Sequence, residues 1–465
     1  MTSQAHRFLR GAAATFPAPS AKSAGAAALD HLLFGPGESA VPAAGENAIR
    51  LSGCEGAAPS GRGRAAAERA YARLVSGAAP ALPHWFADLR RRLAILFGAP
   101  GCDVILAASD AGSELIFDAL ARAALARPVM HLAAAAPERP NEPSMEFAAL
   151  ALRDRYGLPR EAGLIDADAA RLAEQAIASG KDVVLHVADC SETGLAGPSR
   201  AIAGALAAAW PGRICILIDA RQLRCEPEQT ALDLAAGFAV LMSGSTFAGG
   251  PSGASALLLP PALFERVDSF ELPDAPAAAS AAMDWPPRLR DRLVGDFATL
   301  ADPGLGLRWE CALAELEFYF AVGADLLAQV RAAFAHEIRC HLAAAPALKL
   351  TDCGWRAEDS RSLFPILTFD ESGRALNPEP LRRALADPTA RRGGWTSRGR
   401  PVHLGAPLRI GARNALRLSL SAPLVSDVVE RIGEGCSFAA AFQPLADDLL
   451  EAFALWSDLA SAERF

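Results

Sequence analysis

Lysine is almost missing from this chain. Of its 45 basic side chains only Lys22, Lys181 and Lys349 are lysines and the rest are arginines, a bias whose plainest reading is GC-rich coding. Any chemistry that needs an amine therefore has three candidates. Paired cysteines are missing too. Nine thiols lie scattered at 54, 102, 190, 215, 225, 311, 340, 353 and 436 without a C-x-x-C pair, which speaks for reduced, mostly buried cysteines and against a disulfide framework or a zinc site. No apolar window reaches the roughly 18 uncharged residues of a membrane span, and the N-terminus, MTSQAHRFLRGAAATFPAPS, has no continuous apolar stretch of the signal-peptide kind. A net charge of −8 argues against nucleic acid or an anionic membrane as the main partner. There is no internal repeat. The expectation is a soluble, cytoplasmic protein without a metal, nucleic-acid or membrane partner.

What is present is ordinary globular material. The 465 residues, 51 % hydrophobic and 21 % charged, suffice for two domains and a sizeable core. Residues 1–45 are rich in Ala, Gly, Pro and Ser and are expected to form an arm or irregular lead-in. Residues 65–75 and 84–97 have helical spacing. From about Asp103, short apolar runs (VILAA, VMHLAAAA, VVLHVAD, ICILIDA, FAVLMSGS, ASALLLP) alternate with helical stretches. That alternation predicts an α/β fold, with a mostly parallel sheet covered by helices on both faces. A Pro/Ala-rich stretch, 271–287, precedes one long helical segment over 308–342. LFPILTF, PEPLRRALAD and LRLSLSA then suggest a small C-terminal α+β domain closed by a helix pair. The expected division is an arm at 1–45, a large α/β domain at 46–300, and a helical linker with the small domain at 301–465.

In such sheets, ligands bind at the carboxyl ends of the strands, where helix N-termini aim amide donors at anions. Four segments fall there. Ser109-Asp110-Ala111-Gly112-Ser113-Glu114 opens a helix with small residues that either cradle a phosphate or simply cap the helix. Asp189-Cys190-Ser191-Glu192-Thr193-Gly194 follows VVLHVA. Asp219-Ala220-Arg221-Gln222 follows ICILI, and a carboxylate at a buried strand end is costly unless paired. Ser243 and Ser245 follow FAVLM, placed to bind phosphate or to build a turn.

The order of these segments resembles the fold-type I transferases of pyridoxal phosphate (PLP), the superfamily of aminotransferases and cysteine desulfurases. The similarity rests on Asp-Ala-x-Gln followed by a Ser-Gly-Ser-x-Phe turn, a Gly-Pro pair and an apolar strand. It runs over about residues 50–440, with its specific part near 100–260. The resemblance implies roles for individual residues. Ala111, Gly112 and Ser113 fall on the phosphate cup, and Ser191 and Gln222 fall where ligands of the cofactor's phenolic oxygen sit. Asp219 matches the aspartate that keeps the pyridine nitrogen protonated. Ser243, with Ser245 beside it, matches the phosphate serine, and Arg417 resembles the arginine that grips a substrate carboxylate, though it could equally be an exposed strand arginine. The lysine that forms the Schiff base is replaced by Thr246, which has no amine and cannot make an imine. No ring-stacking residue is evident. His131 is a candidate, with a satisfied core histidine as the plainer alternative, and the expected glycine-rich segment reads Pro137-Glu138-Arg139-Pro140-Asn141-Glu142-Pro143.

No other lysine replaces it convincingly. Lys181 precedes a strand and lies eight residues before Asp189, roughly 26 Å away at about 3.3 Å per residue. Lys349 has no motif around it, and Lys22 lies in the arm, from which such segments can cross to a partner. Three functions remain open. The first is an enzyme working without the lysine on an amino-acid-like substrate, with PLP or pyridoxamine phosphate held non-covalently. The second, which the missing lysine favours, is a non-catalytic or partner-dependent subunit of a biosynthetic PLP enzyme, paired with a lysine-bearing paralogue. The third is a homodimeric small-molecule binder or sensor.

Overall fold

A computed structural model describes residues 22–34, 48–52, 59–77, 81–136, 138–139, 146–297, 299–351, 362–387 and 399–462. Residues 1–21, the segment 140–145, Cys54 and Cys353 lie outside the described residues.

The short strand β1 (Ile49–Arg50) precedes the main sheet, which contains β2 (Asp103–Ala107), β3 (Val129–Ala134), β4 (Phe147–Leu150), β5 (Asp182–Ala188), β6 (Ile214–Asp219), β7 (Ala239–Ser243) and β8 (Ser255–Leu259). Their order is β2-β8-β7-β6-β5-β3-β4. Every neighbouring pair is parallel except the two made by β8. β2, β5, β7 and β8 are buried at every position, which is why they read as unbroken apolar runs: a sheet covered on both faces has no polar side to alternate with.

The longer helices, in chain order, are α1 (Lys22–Phe34), α2 (Gly61–Val75), α3 (Leu82–Leu96), α4 (Asp110–Ala124), α5 (Ala162–Ala178), α6 (Arg200–Ala209), α7 (Pro227–Ala235), α8 (Pro303–Phe320) and α9 (Ala324–Ala344). Two expectations are corrected here. Residues 22–34 are helical, not irregular, because Leu29, Leu33 and Phe34 bury one face of α1 against the rest of the core. The single helix expected over 308–342 is two helices broken at Gly323, which serves as the N-cap position of α9 with an extended backbone.

The C-terminal part builds a second, four-stranded antiparallel sheet of order β12-β13-β10-β9, from β9 (Leu348–Leu350), β10 (Leu363–Thr368), β12 (Leu408–Ile410) and β13 (Arg413–Ser419). The remaining strand β11 (Val402–His403) pairs in parallel with β1. Helices α10 (Pro378–Ala386), α11 (Ala422–Gly433) and α12 (Phe438–Ala462) complete this part. Among the described residues no helix is long and apolar enough to cross a membrane. No group of three or more His, Cys, Asp or Glu among them is arranged to hold a metal ion.

Candidate functional site

The carboxyl ends of β5, β6 and β7 and the start of α4 converge, as the parallel register requires: Ala188 lies beside Asp219, and Asp219 beside Leu241. The turn after β7 is pinned by tight packing. A side chain at Gly244 would place its Cβ 2.7 Å from the Cβ of Ala312 on α8, and Gly249, at φ +65°, sits against Pro423. This turn carries Thr246, whose side chain is buried and whose hydroxyl donates to the Arg221 carbonyl at 2.8 Å. Thr246 thus ties the turn after β7 to the turn after β6.

Asp219 does have the counter-charge that a buried carboxylate needs, and it comes from two residues along the chain. The Arg221 guanidinium donates through Nε to Oδ1 at 2.8 Å and through Nη2 to Oδ2 at 2.5 Å. Burial alone would raise the Asp219 carboxyl, but Arg221, with Arg139 behind it, outweighs that and holds it below the ordinary value. The same pairing lifts Arg221 well above its usual range, burial notwithstanding.

Arg221 also approaches Glu114 at 3.4 Å, and Arg139 pairs with the other oxygen of Glu114. Burial is the main influence on both members of that second pair: it raises the Glu114 carboxyl and lowers the Arg139 guanidinium. The line continues inward. Arg139 lies 3.4 Å from His186 Nδ1, His186 Nε2 lies 3.0 Å from His131 Nδ1, and His131 Nε2 meets Asp118 Oδ1 at 2.8 Å. Burial, reinforced by Arg139 and His131, drives the pKa of His186 well below the usual imidazole value and keeps that ring neutral. His131 is accordingly a satisfied core residue, with a carboxylate on one ring nitrogen and an imidazole on the other.

The remaining residues singled out from the sequence are also paired within the chain. Ala111 is exposed and Gly112 half-buried at the start of α4, whose N-terminus is capped by Ser109 accepting from the Gly112 amide at 3.0 Å. Ser113 is fully buried and shares a hydrogen bond of 2.9 Å with Ser255. Ser243 and Ser245 bond each other at 2.8 Å. The Ser191 hydroxyl donates to Glu138, which Arg153 holds at 2.7 Å. Gln222 donates to Glu192 Oε1 at 2.9 Å, and Arg417, reaching over from β13, pairs with Glu192 Oε2. Arg417 is 7 % exposed and is not a surface strand arginine.

Asp219, Gln222, Thr246 and Arg417 therefore come together, with Glu192 bridging the last of them to Gln222. Ser113 on α4, bonded to Ser255 of β8, and Ser243 and Ser245 at the end of β7 and in the turn after it are buried as well. The residues that sequence reasoning missed are the counter-ions Arg221, Glu114, Arg139 and Glu192. One signal was available: Arg221 occupies the variable position of Asp-Ala-x-Gln itself. Lys181 pairs with Glu146 at the opposite end of β5, and Lys349 stacks over the Phe369 ring, so neither reaches the turn that carries Thr246.

No family model matches the chain, and no curated protein sequence matches it. Solved structures do. The chain is similar to the cysteine desulfurase CsdA (S-sulfonic acid) from Escherichia coli, with a TM-score of 0.56 at 14 % identity, covering 90 % of this chain and 97 % of that one. It is similar to pyridoxamine-pyruvate aminotransferase from Mesorhizobium loti, with a TM-score of 0.51 at 15 % identity over 88 % and 97 % of the two chains. It is also similar to Oryza sativa TDC with PLP and tryptamine, with a TM-score of 0.54 at 13 % identity over 94 % and 89 %. At such identities the likeness shows the fold. The chain has the α/β fold of the fold-type I PLP transferases, a mostly parallel central sheet with flanking helices.

Proposed function

We propose that this fold-type I chain acts as a non-catalytic, partner-dependent subunit of a biosynthetic PLP enzyme in the cytoplasm. The observation that carries this reading is the self-neutralised site. Asp219 has its cation in Arg221, Arg417 has its carboxylate in Glu192, and the Thr246 hydroxyl is spent on the Arg221 carbonyl.

PLP and pyridoxamine phosphate do not fit these residues in the pose that the superfamily resemblance implies. A pyridinium nitrogen at Asp219 has to displace a two-pronged guanidinium, a charge-assisted contact worth about 1.5–3 kcal/mol. A substrate carboxylate at Arg417 meets Glu192 already in place. Of the two hydroxyls of Ser243 and Ser245, which bond each other, only one proton is left for a phosphate. With Thr246 in the anchoring position, a cofactor held here has no covalent attachment. The proposed contribution of the chain is its folded surface, set against a paralogue that retains the lysine and binds the amino-acid-like substrate.

The test is co-expression with such a paralogue, purification of the mixed dimer, and amino-donor turnover. Activity should vanish when the paralogue's lysine is changed to alanine and should be unaffected by Thr246→Ser in this chain, which keeps the bond to the Arg221 carbonyl. Turnover of an amino donor by this chain alone would rule the subunit reading out.

A further inference from the structure

A separate cavity of about 160 Å³ lies between the turn after β6 and helices α8, α9 and α11, and it shares no residue with the ionic line from Asp219 to Asp118. Its wall is unusual in carrying two cations. Arg224 is half-buried, donates through Nη1 to the Leu420 carbonyl at 2.7 Å, and lies 4.6 Å over the Phe247 ring. Its Nε has no hydrogen-bond partner, and no carboxylate among the described residues pairs with it. Desolvation, with the like charges of Arg417 and Arg331 adding to it, depresses this guanidinium to about 10. A cation partly withdrawn from water, held only by a carbonyl and an aromatic face and with no carboxylate partner, favours an anion in this cavity.

The second cation, Arg331, donates to the Tyr319 hydroxyl oxygen at 2.6 Å and reaches Glu226 at 3.3 Å. Glu226 is about half exposed, so its hold on Arg331 is weak and readily exchanged for a ligand. The Tyr319 oxygen accepts from Arg331, and among the described residues no acceptor takes the Tyr319 proton. The rest of the wall is largely apolar: Leu223, Phe247, Phe320, Leu420 and Val425.

We propose that this cavity binds a small organic carboxylate, with its head group on Arg224, Arg331 and the Tyr319 hydroxyl and a short apolar body against Phe247, Leu420 and Val425. The volume sets the size. A cavity of about 150 Å³ holds benzene, so a ligand of roughly six non-hydrogen atoms fills this one. Binding supplies the counter-ion that Arg224 lacks, with the ligand beside the Thr246–Phe247 turn and away from Asp219.

The test is calorimetric titration of the full-length protein with butyrate, with uncharged butyramide of the same shape, and with inorganic phosphate. Butyrate should bind saturably and raise the melting temperature, and butyramide should do neither. Tyr319→Phe and Arg331→Gln should each weaken butyrate about 5–10-fold, and Arg224→Gln should abolish binding. If Arg224→Gln fails to fold, the other two variants decide. The proposal is overturned if butyrate and butyramide behave alike, if phosphate binds as tightly as butyrate, or if the Tyr319 and Arg331 variants keep wild-type affinity.

Discussion

Replacing Arg221 by glutamine removes the counter-ion on which the self-neutralised site depends. The Asp219 and Arg221 side chains are 18 % and 10 % exposed and joined by two hydrogen bonds. Removing one member of a buried pair costs about 3–5 kcal/mol, and discounting that for the residual exposure leaves roughly 2.5–4 kcal/mol. At about 2.1 cal/mol/K per residue, a chain of this length melts with an entropy of roughly 1 kcal/mol/K, so the midpoint should fall by about 3–4 °C. The loss should depend on pH. In the wild type the folded pKa of Asp219 is depressed, so the pair contributes fully above the unfolded value near about 3.9 and its contribution is lost as pH falls through the folded pKa. In Arg221→Gln burial dominates and raises the carboxyl, as it already raises Glu114. The variant is then penalised at pH 7 and relieved as pH falls toward 5. Urea denaturation at both pH values measures the gap, which should narrow at pH 5, and Asp219→Asn in the same chain should recover most of the loss. A gap below about 0.5 kcal/mol at pH 7, or one unchanged at pH 5, would refute the reasoning.

Two further substitutions test the turn after β7. Thr246→Val leaves the buried Arg221 carbonyl without its donor and should cost about 1–3 kcal/mol, whereas Thr246→Ser retains the donor and should lie close to wild type in urea midpoint. Gly244→Ala drives a methyl to 2.7 Å from the Ala312 Cβ and should destabilise by about 1–3 kcal/mol. Gly323→Ala, with nothing within 4 Å of its added Cβ, provides the thermal-melt control and should change little.

Six of the seven strands of the main sheet were readable because they are largely buried on both faces and their apolar runs are bounded by polar turns, whereas the edge strand β4, only partly buried, was not. The convergence of Asp219, Gln222 and Thr246 followed from the same reading, since parallel strands bring their carboxyl ends together. The helix at 22–34 was hidden by an Ala- and Gly-rich composition whose only strong signal, Leu29 to Phe34, is short. The break at Gly323 was masked by apolar periodicity that continues on both sides of it. The ion pairs were out of reach for a different reason. Glu192 and Arg417 are separated by 225 positions, and Arg221 next to Asp219 says nothing about which way its side chain turns. Charge pairing of this kind is a property of the packed site, and local pattern carries no record of it.

The central claim is that this site has no amine able to anchor a cofactor, and reductive trapping tests it most directly. The purified protein is incubated with PLP, reduced with borohydride, digested and mass-analysed. The account predicts no stoichiometric phosphopyridoxyl adduct, since Thr246 offers no amine, Lys181 lies at the far end of β5 and Lys349 lies in the other sheet. One equivalent of adduct at Lys22, Lys181 or Lys349 would contradict it.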